Sequence, residues 1–231
     1  ISYIKLIVSM EMAILSFAMK EQEEIVKMNK KIKVVALMGK AGAGKDALLH
    51  KIMEKYGDEF AGIISCTSRP PREGEVDGVN YHFLTSEQFA EKLMDGDMIE
   101  AVVFRDWCYG TSYDSLDPNK INIGVYNPQG VGILMDMEYD IDLFPIWVKA
   151  NDKTRLMRQL MRETNPDCQE IVRRYEADNE DFGTTVTSLW NKLDMPLEHP
   201  YAEIENNDGA DLDTLAILAV SSIRHWTEAI N

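Results

Sequence analysis

Residues 34–45 read Val-Val-Ala-Leu-Met-Gly-Lys-Ala-Gly-Ala-Gly-Lys, and this stretch decides the fold of the chain. An apolar run leads into the pattern G-x-x-x-x-G-K, and we predict a helix from Asp46 to about Lys55. Glycine lets the backbone turn its N–H groups inward, and the start of the helix adds partial positive charge for phosphate groups. The stretch therefore predicts a phosphate-binding loop for a nucleoside triphosphate, with Lys45 reaching the outer phosphates.

The residue after this lysine departs from the usual pattern. The pattern has Ser or Thr there, whose hydroxyl ligates Mg²⁺, whereas this chain has Asp46. A carboxylate is a strong ligand for a hard cation and is also favoured near helix N-termini, so Asp46 either binds the metal or only caps the helix. The candidate ATP-binding residues here are Gly39, Ala41, Gly42, Ala43, Gly44, Lys45, Asp46 and Ala47, with Asp46 as the candidate metal ligand.

A second motif covers residues 67–83. It reads Thr-Ser-Arg-Pro-Pro-Arg-Glu-Gly-Glu over residues 67–75, and Gly78 and the run Tyr81-His82-Phe83 follow. Arginine presents a planar fork of donors that suits phosphate oxygens and stays charged at any working pH. Arg69 and Arg72 therefore predict a second anion site. One triphosphate site beside one anion site indicates a phosphoryl-transfer enzyme with two substrates.

This second motif resembles the signature of the guanylate kinase family almost position for position. The resemblance extends from about Lys33 to about His225, and the Gly-Lys-Asp loop is reminiscent of phage-encoded members. It implies transfer of the γ-phosphoryl group of ATP to GMP or dGMP, with Mg²⁺ as cofactor. The residues that the resemblance assigns to the GMP side of this motif are Ser65, Arg69, Arg72, Glu75 and Tyr81.

The segments Met98–Ala101 and Tyr109–Thr111 resemble the part of the family that reads the guanine edge. Glu100 can accept hydrogen bonds from guanine N1–H and N2–H₂, which adenine lacks, and Thr111 can donate to O6 or accept elsewhere. A buried acceptor that the wrong base leaves unpaired costs about 1–3 kcal/mol, which is enough for strong discrimination. The resemblance further implies that Tyr109 touches the phosphate. The alternative for Glu100 is an ordinary solvated acid after a strand.

The segment Val125–Gly130 departs from the family pattern. The family shows Asp-x-Asp ahead of Gln-Gly, and here those places hold Val125 and Asn127. Carboxylates lost here and gained at Asp46 would be a compensating shift of negative charge. A kinase of the same fold with an altered base preference is therefore one alternative.

Arginines recur along the helix predicted after residue 151. Arg155, Arg158 and Arg162 follow at spacings of 3 and 4 and lie on one helical face, which alone is typical of a solvated surface. The resemblance implies instead that Arg158, Arg162 and Arg174 close over ATP and the transferred group, where positive charge stabilises the moving phosphoryl group. Together with Lys45 they are the candidate catalytic residues.

A shorter match at residues 204–208 assigns Asn206 to the adenine of ATP. Alternating strand-like and helical runs predict an α/β fold, a P-loop-type parallel sheet flanked by helices, with a small inserted monophosphate-binding lobe and a helical lid. The predicted strands are Lys33–Met38, Gly62–Cys66, Ile121–Tyr126, Pro145–Lys149 and Tyr201–Glu205. We expect a guanylate-kinase-like domain at residues 32–231, with its core at 32–68, 104–150 and 183–231, the lobe at 69–103 and the lid at 151–182.

The formal net charge of −15 over 231 residues argues against nucleic acid or an anionic membrane as a partner. We interpret the acidic run Glu176–Asp181 as solvated helix. Three scattered cysteines without metal-like spacing suit a reducing cytosol, so we expect a cytoplasmic protein, a monomer or homodimer.

Residues 1–31 form an N-terminal extension of uncertain role. Lys5 and Glu11 interrupt its apolar part and argue against a membrane-spanning helix, and no small-residue cleavage site follows. An amphipathic helix and a start site placed too far upstream both fit, and we expect the segment to be dispensable for catalysis.

A catalytically dead module that binds a protein at the former nucleotide site is the alternative from another functional class. Such modules typically lose the loop lysine and glycines. This chain keeps Lys45 and the loop glycines, and it also keeps Arg158 and Arg162. The sequence therefore favours an enzyme.

Overall fold

The structure is a computed structural model that describes residues 31–72, 74–104, 106–137, 140–162, 164–183, 190–191 and 199–230. The extension at residues 1–30 lies outside the described residues, so its expected dispensability stays a prediction. The described strands are β1 (Ile32–Met38), β2 (Phe60–Gly62), β3 (Cys66–Thr67), β4 (His82–Phe83), β5 (Met98–Phe104), β6 (Trp107–Ser112), β7 (Ile121–Val125), β8 (Ile141–Lys149) and β9 (Ala202–Glu205). The described helices are α1 (Lys45–Tyr56), α2 (Ser86–Met94), α3 (Pro128–Asp136), α4 (Asp152–Arg162), α5 (Cys168–Phe182) and α6 (Leu212–Ile230), with one 3₁₀ turn at Tyr113–Ser115.

The central sheet has five parallel strands in the order β2-β7-β1-β8-β9. Strand β1 lies in the middle, and its residues from Val34 to Met38 are buried. A continuous apolar run of this kind is typical of a parallel strand that is covered on both faces. The predicted α/β fold with a parallel sheet flanked by helices is therefore confirmed.

Alternate residues of β1 belong to two hydrophobic clusters. Val35 and Leu37 pack with buried residues of α1 and α6, such as Ile52 and Trp226. Val34, Ala36 and Met38 belong to the other cluster, to which α3 contributes Val131 and Leu134 and α5 contributes Phe182. Because β1 is anchored on both sides, the loop that follows it starts from a rigid point.

A second sheet contains four strands in the order β4-β3-β6-β5, with β3–β6 and β5–β6 antiparallel. Its strands span residues 66–112 and carry the motif of residues 67–83 at one end. The expected division into core, lobe and lid at the stated residue numbers stays a prediction. Among the helices that the structure describes, none is both long enough and apolar enough to cross a membrane.

One predicted strand is wrong. We expected a single strand over Gly62–Cys66, and the structure has β2 ending at Gly62 and β3 beginning at Cys66. The Ile63 N–H still donates to the Ile123 carbonyl at 2.9 Å, and the chain then leaves the central sheet for the second one. An apolar run cannot reveal such a switch, because both halves are buried in their own sheet. Strand β8 is also longer than predicted, beginning at Ile141 rather than Pro145.

Candidate active site

The loop between β1 and α1 is shaped by glycines in conformations that other residues rarely adopt. Gly42 and Gly44 have φ values of 78° and 92°. A Cβ atom on Gly42 would lie 2.5 Å from the Arg155 carbonyl oxygen, and one on Gly44 would overlap the side-chain amide of Asn206. The loop needs glycine both for its backbone turn and for close contact with its neighbours.

Lys45 is the first residue of α1, and its Nζ donates to the Gly39 carbonyl at 2.7 Å. Burial lowers the pKa of Lys45, while the negative charges of Asp46 and Asp178 oppose the shift. An amine held across the loop by one of the loop's own carbonyls can turn to a phosphate without moving its backbone. The geometry suits the predicted point charge.

Asp46 and Ala47 lie exposed in the first turn of α1. Gly44 occupies the N-cap position, and the helix begins without a side-chain cap hydrogen bond. The capping interpretation of Asp46 therefore finds no geometry to support it. Burial, followed by the negative charge of Asp46, raises the pKa of Tyr81 to about 12.

Helix α5 contacts the phosphate loop through Asp178, whose Oδ2 accepts from the Ala41 N–H at 2.6 Å. The same oxygen pairs with Arg155 Nη2 at 3.1 Å, and Arg155 Nε donates to the Ala41 carbonyl at 3.0 Å. Arg155 is 1% exposed and also pairs with Asp152. Interpreting the run Glu176–Asp181 as wholly solvated was therefore wrong at Asp178, because this carboxylate neutralises a buried guanidinium and receives a loop amide.

Arg158 and Asn206 contact the carbonyl groups of the same loop. Arg158 Nη1 donates to the Gly42 carbonyl at 3.3 Å, and its Nη2 donates to Asn206 Oδ1 at 3.2 Å. The Asn206 amide donates in turn to the Ala43 carbonyl at 2.9 Å. Asn206 is 4% exposed and follows β9 directly, so the strand carries it to the loop.

The positive charges of arginines on α4 and α5 act on an arginine of the second motif. Desolvation and the positive charges of Arg174, Arg69 and Arg162 lower the pKa of Arg72, whereas Glu75 acts to raise it. Arg174 is steadied by Glu170 on the same helix, Nε to Oε1 at 2.7 Å. Cations brought together in this way repel each other, and an anion among them would relieve that repulsion.

Arg69 is held in place by Glu75 through two parallel hydrogen bonds, of 2.9 Å and 3.0 Å. Its guanidinium lies 5.5 Å from the centre of the Tyr81 ring, and that ring meets the Tyr109 ring edge-on at 6.1 Å. The Arg72 N–H also donates to Glu75 at 2.7 Å. Glu75 thus binds the guanidinium of Arg69 and the backbone of Arg72.

Glu100 and Thr111 are neighbours across the β5–β6 pair and are both buried. The Thr111 hydroxyl lies 2.9 Å from Glu100 Oε1. Burial raises the pKa of Glu100 to about 7, although the hydrogen bonds from Thr111 act to lower it. Glu100 is 6% exposed, so its interpretation as an ordinary solvated acid is wrong.

Tyr126 is the site residue that sequence reasoning missed. Its hydroxyl lies 3.2 Å from Thr111 Oγ1, next to Glu100. The available signal was an aromatic residue with a hydroxyl in the middle of the segment that departs from the family pattern. Asn127 has a different task, since its Oδ1 accepts from the Gly130 N–H at 2.7 Å and caps α3.

A cavity of about 240 Å³ extends from the phosphate loop to the buried side chains of Glu100 and Tyr126. It brings together residues of the first motif and residues carried by the second sheet. Asp178 and Asp181 of α5 also line it. The predicted site residues that line this cavity are Gly39, Ala41, Lys45, Ser65, Tyr81, Glu100 and Tyr109.

Comparison with known proteins agrees with this geometry. A profile of the family described as guanylate kinase matches residues 31–193. A guanylate kinase of Clostridium perfringens (strain 13 / Type A) is 30% identical over 177 residues, covering 75% of this chain and 76% of the relative. A human guanylate kinase is 31% identical over 180 residues, covering 74% of this chain and 89% of the relative.

Among solved structures, a guanylate kinase from Anaplasma phagocytophilum superimposes with a TM-score of 0.51 at 18% sequence identity. The superposition covers 86% of this chain and 88% of that one, and at this identity it bears on the fold alone. The profile and the two sequence relatives carry the assignment further. This chain belongs to the guanylate kinase family.

Proposed function

We propose that this chain transfers the γ-phosphoryl group of ATP to GMP or dGMP, giving ADP and GDP or dGDP. The observation that carries the proposal is the cavity that connects Gly39 and Lys45 of the phosphate loop with Glu100 of the second sheet. A base held at Glu100 has its phosphate directed toward the loop, which is the arrangement that transfer between two nucleotides requires. Membership of the guanylate kinase family supports the same reaction.

The ATP phosphates lie in the loop, where inward N–H groups and the start of α1 hold negative charge. Lys45 neutralises the outer phosphates. Asn206, which already bonds to the Ala43 carbonyl, fixes the far wall of the loop and carries the adenine contact. The loop residues that take part are Gly39, Ala41, Gly42, Ala43, Gly44, Lys45, Asp46 and Ala47.

The GMP phosphate is gripped by Arg69 and Arg72, and Glu75 holds the Arg69 guanidinium and the Arg72 backbone N–H. Tyr81 and Tyr109 close the same end of the cavity, and Ser65 lines it beside them. The base lies farther in, where the Glu100 carboxylate accepts from the N–H groups of guanine. A base without those donors leaves a buried carboxylate unpaired, which disfavours its binding.

Arg158, Arg162 and Arg174 supply positive charge from α4 and α5 as the phosphoryl group moves. Such charge stabilises the transition state because the three equatorial oxygens carry the developing negative charge. The positive charges of Arg174 and Arg162 help to lower the pKa of Arg72, which supports a shared anionic target for the arginines of these helices and of the second motif. Closure of the two sides excludes water, which would otherwise accept the phosphoryl group.

Mg²⁺ is the cofactor that the family implies, and the residues present fit it. The structure has, within the residues it describes, no cluster of three or more His, Cys, Asp or Glu arranged around a metal site. Mg²⁺ in such enzymes is held by one or two carboxylates together with the substrate phosphates, and exposed Asp46 beside the loop provides one. When bound, the ion neutralises phosphate oxygens of ATP.

The surroundings also fit a small-molecule enzyme of the cytosol. Cys66, Cys108 and Cys168 are free thiols, as a reducing compartment requires. The net charge of −15 disfavours nucleic acid as a partner, so the anionic substrates are met by the local positive charge of the site. We propose a monomer or a homodimer that acts on free nucleotides.

A coupled ADP-release assay with ATP, Mg²⁺ and each common (deoxy)nucleoside monophosphate in turn tests the proposal. We expect rapid turnover with GMP and dGMP and at most about 1% of that rate with adenine or pyrimidine nucleotides. Turnover centred on another base would replace guanine as the substrate. Folded protein that turns over none of them would contradict the kinase assignment altogether.

A further inference from the structure

Tyr126 lies between β7 and α3 and is 6% exposed, yet it lines the cavity beside Glu100. Its ring packs against two glycines, since a Cβ on Gly124 or Gly130 would lie 3.0 Å or 3.5 Å from ring carbons. Among the described residues, the hydrogen-bond partner of the phenol hydroxyl is Thr111 Oγ1 at 3.2 Å. A buried tyrosine hydroxyl normally has a partner, and here that partner is the residue that also contacts Glu100.

The protons of this group can be assigned by counting donors. An ionised carboxylate only accepts, so the single hydroxyl proton of Thr111 goes to Glu100 Oε1, 2.9 Å away. Thr111 then has only lone pairs to offer Tyr126, and the phenol must donate to it. When Glu100 is ionised, the hydrogen bonds therefore run in one direction, from Tyr126 through Thr111 to Glu100.

We propose that Tyr126 is a positioning residue for guanine recognition, acting through Thr111 to hold the plane of the Glu100 carboxylate. The proposal rests on the proposed function, because it assigns a role toward GMP. Each carboxylate oxygen accepts two hydrogen bonds, so Glu100 keeps room for N1–H and N2–H₂ after Thr111 has bound Oε1.

The same count changes what Thr111 does. Its only proton is committed to Glu100, so it does not donate to guanine O6 while Glu100 is ionised. Of the two expected roles of Thr111, donating to O6 or accepting elsewhere, the second applies, because Thr111 accepts a hydrogen bond from the Tyr126 hydroxyl. Guanine specificity then depends on the two N–H donors at its N1 and N2 edge, which Glu100 reads in a fixed orientation.

The Tyr126→Phe variant tests the role because it keeps the ring and removes only the hydroxyl. We expect KM for GMP to rise about 3- to 10-fold, with kcat and KM for ATP changed by less than about twofold. Loss of the donor chain also leaves the ionised carboxylate less stabilised, so the acid limb of kcat/KM for GMP moves to higher pH. A tyrosine that served packing alone would move neither quantity.

A double-mutant cycle with Thr111→Val separates action through Thr111 from direct contact. If Tyr126 acts through Thr111, adding Tyr126→Phe to Thr111→Val leaves KM for GMP unchanged within about twofold. Multiplying effects of the two substitutions would overturn the proposal, as would a Tyr126→Phe enzyme with unaltered KM and pH profile. Thermal melting of each variant checks that it is folded.

The control is Tyr56→Phe, which removes a hydroxyl from a ring that packs against Arg224 at the end of α1. It has no role in the site, and its KM for GMP stays at the wild-type value. The activity of the wild-type enzyme separates a failure of the proposed function from a failure of the role of Tyr126. A wild type inactive with GMP sinks the proposed function, whereas an active wild type with an unaffected Tyr126→Phe variant sinks only the role of Tyr126.

Discussion

The phosphate loop and the base pocket lie at two ends of one cavity, but they are built in different ways. The loop is one contiguous stretch in which backbone groups and glycine conformations make the binding surface. The base pocket takes single side chains from β5, from β6 and from the connection after β7. These side chains are far apart in sequence, and the folding of the strands brings them together. A site made of backbone is local, whereas a site made of side chains depends on how distant strands meet.

The two ends also differ in charge. The loop is surrounded by paired charges, with Asp178 and Arg155 bound to each other and both bound to Ala41. The base pocket holds one carboxylate, Glu100, whose pKa burial raises to about 7. The loop is therefore prepared for a highly charged ligand, and the pocket is prepared for a neutral base with hydrogen-bond donors. Substitutions at the two ends should affect different substrates.

The largest expected effect is at the loop. Replacing Lys45 by methionine keeps the length of the side chain and removes its charge, and we expect kcat to fall about 1,000-fold because the outer phosphates lose their cation. Calorimetric titration with GMP should give a Kd within about twofold of the wild type, since the base pocket is untouched. Weakened GMP binding would break the separation of the two ends.

Next in size is the base pocket. Glu100→Gln replaces one acceptor oxygen by a donor group, and we expect kcat/KM for GMP to fall about 100-fold while KM for ATP stays within about twofold. Lys45→Met would then spare GMP binding and Glu100→Gln would spare ATP binding, as expected if the two ends of the cavity act separately. An equal loss for ATP and GMP would mean that the substitution distorts the whole cavity.

The same variant should change stability with the opposite sign. The pKa of Glu100 rises from an ordinary 4.5 to about 7 in the folded protein, so the proton is bound more tightly when folded. Its contribution is most favourable below pH 4.5 and is lost as the pH rises through about 7. Glu100→Gln avoids the loss, so above that window it should be more stable than the wild type, by at most about 3 kcal/mol. Urea unfolding at several pH values would show a flatter profile for the variant.

The phosphate loop was more predictable from the sequence than the base pocket. The loop with Lys45 and the central strand β1 were predictable because glycine spacing and an apolar run are local signals. The roles of Glu100 and Thr111 at the guanine edge were implied by resemblance to the family, and the structure adds that both are buried and hydrogen-bonded to each other. Tyr126 was not predicted, because no rule of spacing says which strand end will bring a hydroxyl to Thr111.

Arg155 and Asp178 teach the same lesson at the loop end. Arg155 fits a charged helical face by spacing, but it is buried and bonds to the loop backbone. Asp178 lies in an acidic run that predicts solvent exposure, yet it receives the Ala41 N–H. The solvated interpretation failed at Asp178, and spacing alone would have misplaced Arg155, because helical periodicity gives the face of a helix and not the element that covers it.

A smaller effect is expected where the lid meets the loop. Asp178→Asn removes a negative charge that shares the Ala41 N–H, so we expect KM for ATP to fall about threefold as phosphate meets less repulsion. Arg155 keeps its pair with Asp152 but loses the one with Asp178, so the free energy of unfolding should fall by about 1–2 kcal/mol. Opposite changes in ATP affinity and in stability would identify Asp178 as a contact between lid and loop.

The matched control is Glu176→Gln on the same helix, where the side chain is exposed. It changes the net charge by the same amount as Asp178→Asn, so any general effect of charge on ATP binding appears in both variants. If Glu176→Gln lowers KM for ATP by the same factor, the effect comes from net charge and Asp178 has no specific role at the phosphate loop.

The smallest expected effect concerns Asp46, which lies exposed in the first turn of α1 beside the phosphate loop. If its carboxylate ligates Mg²⁺, serine should raise the Mg²⁺ concentration for half-maximal activity about threefold, because a hydroxyl is a weaker ligand that still binds. Asp46→Ala, which leaves no ligand, should raise it further, and this order separates metal binding from a general effect of charge. Full Mg²⁺-dependent activity in Asp46→Ser would contradict the idea that a carboxylate here compensates for those absent at Val125 and Asn127. The Mg²⁺ dependence of the wild type, Asp46→Ser and Asp46→Ala at saturating GMP therefore decides whether a carboxylate at position 46 replaces the carboxylates absent at Val125 and Asn127.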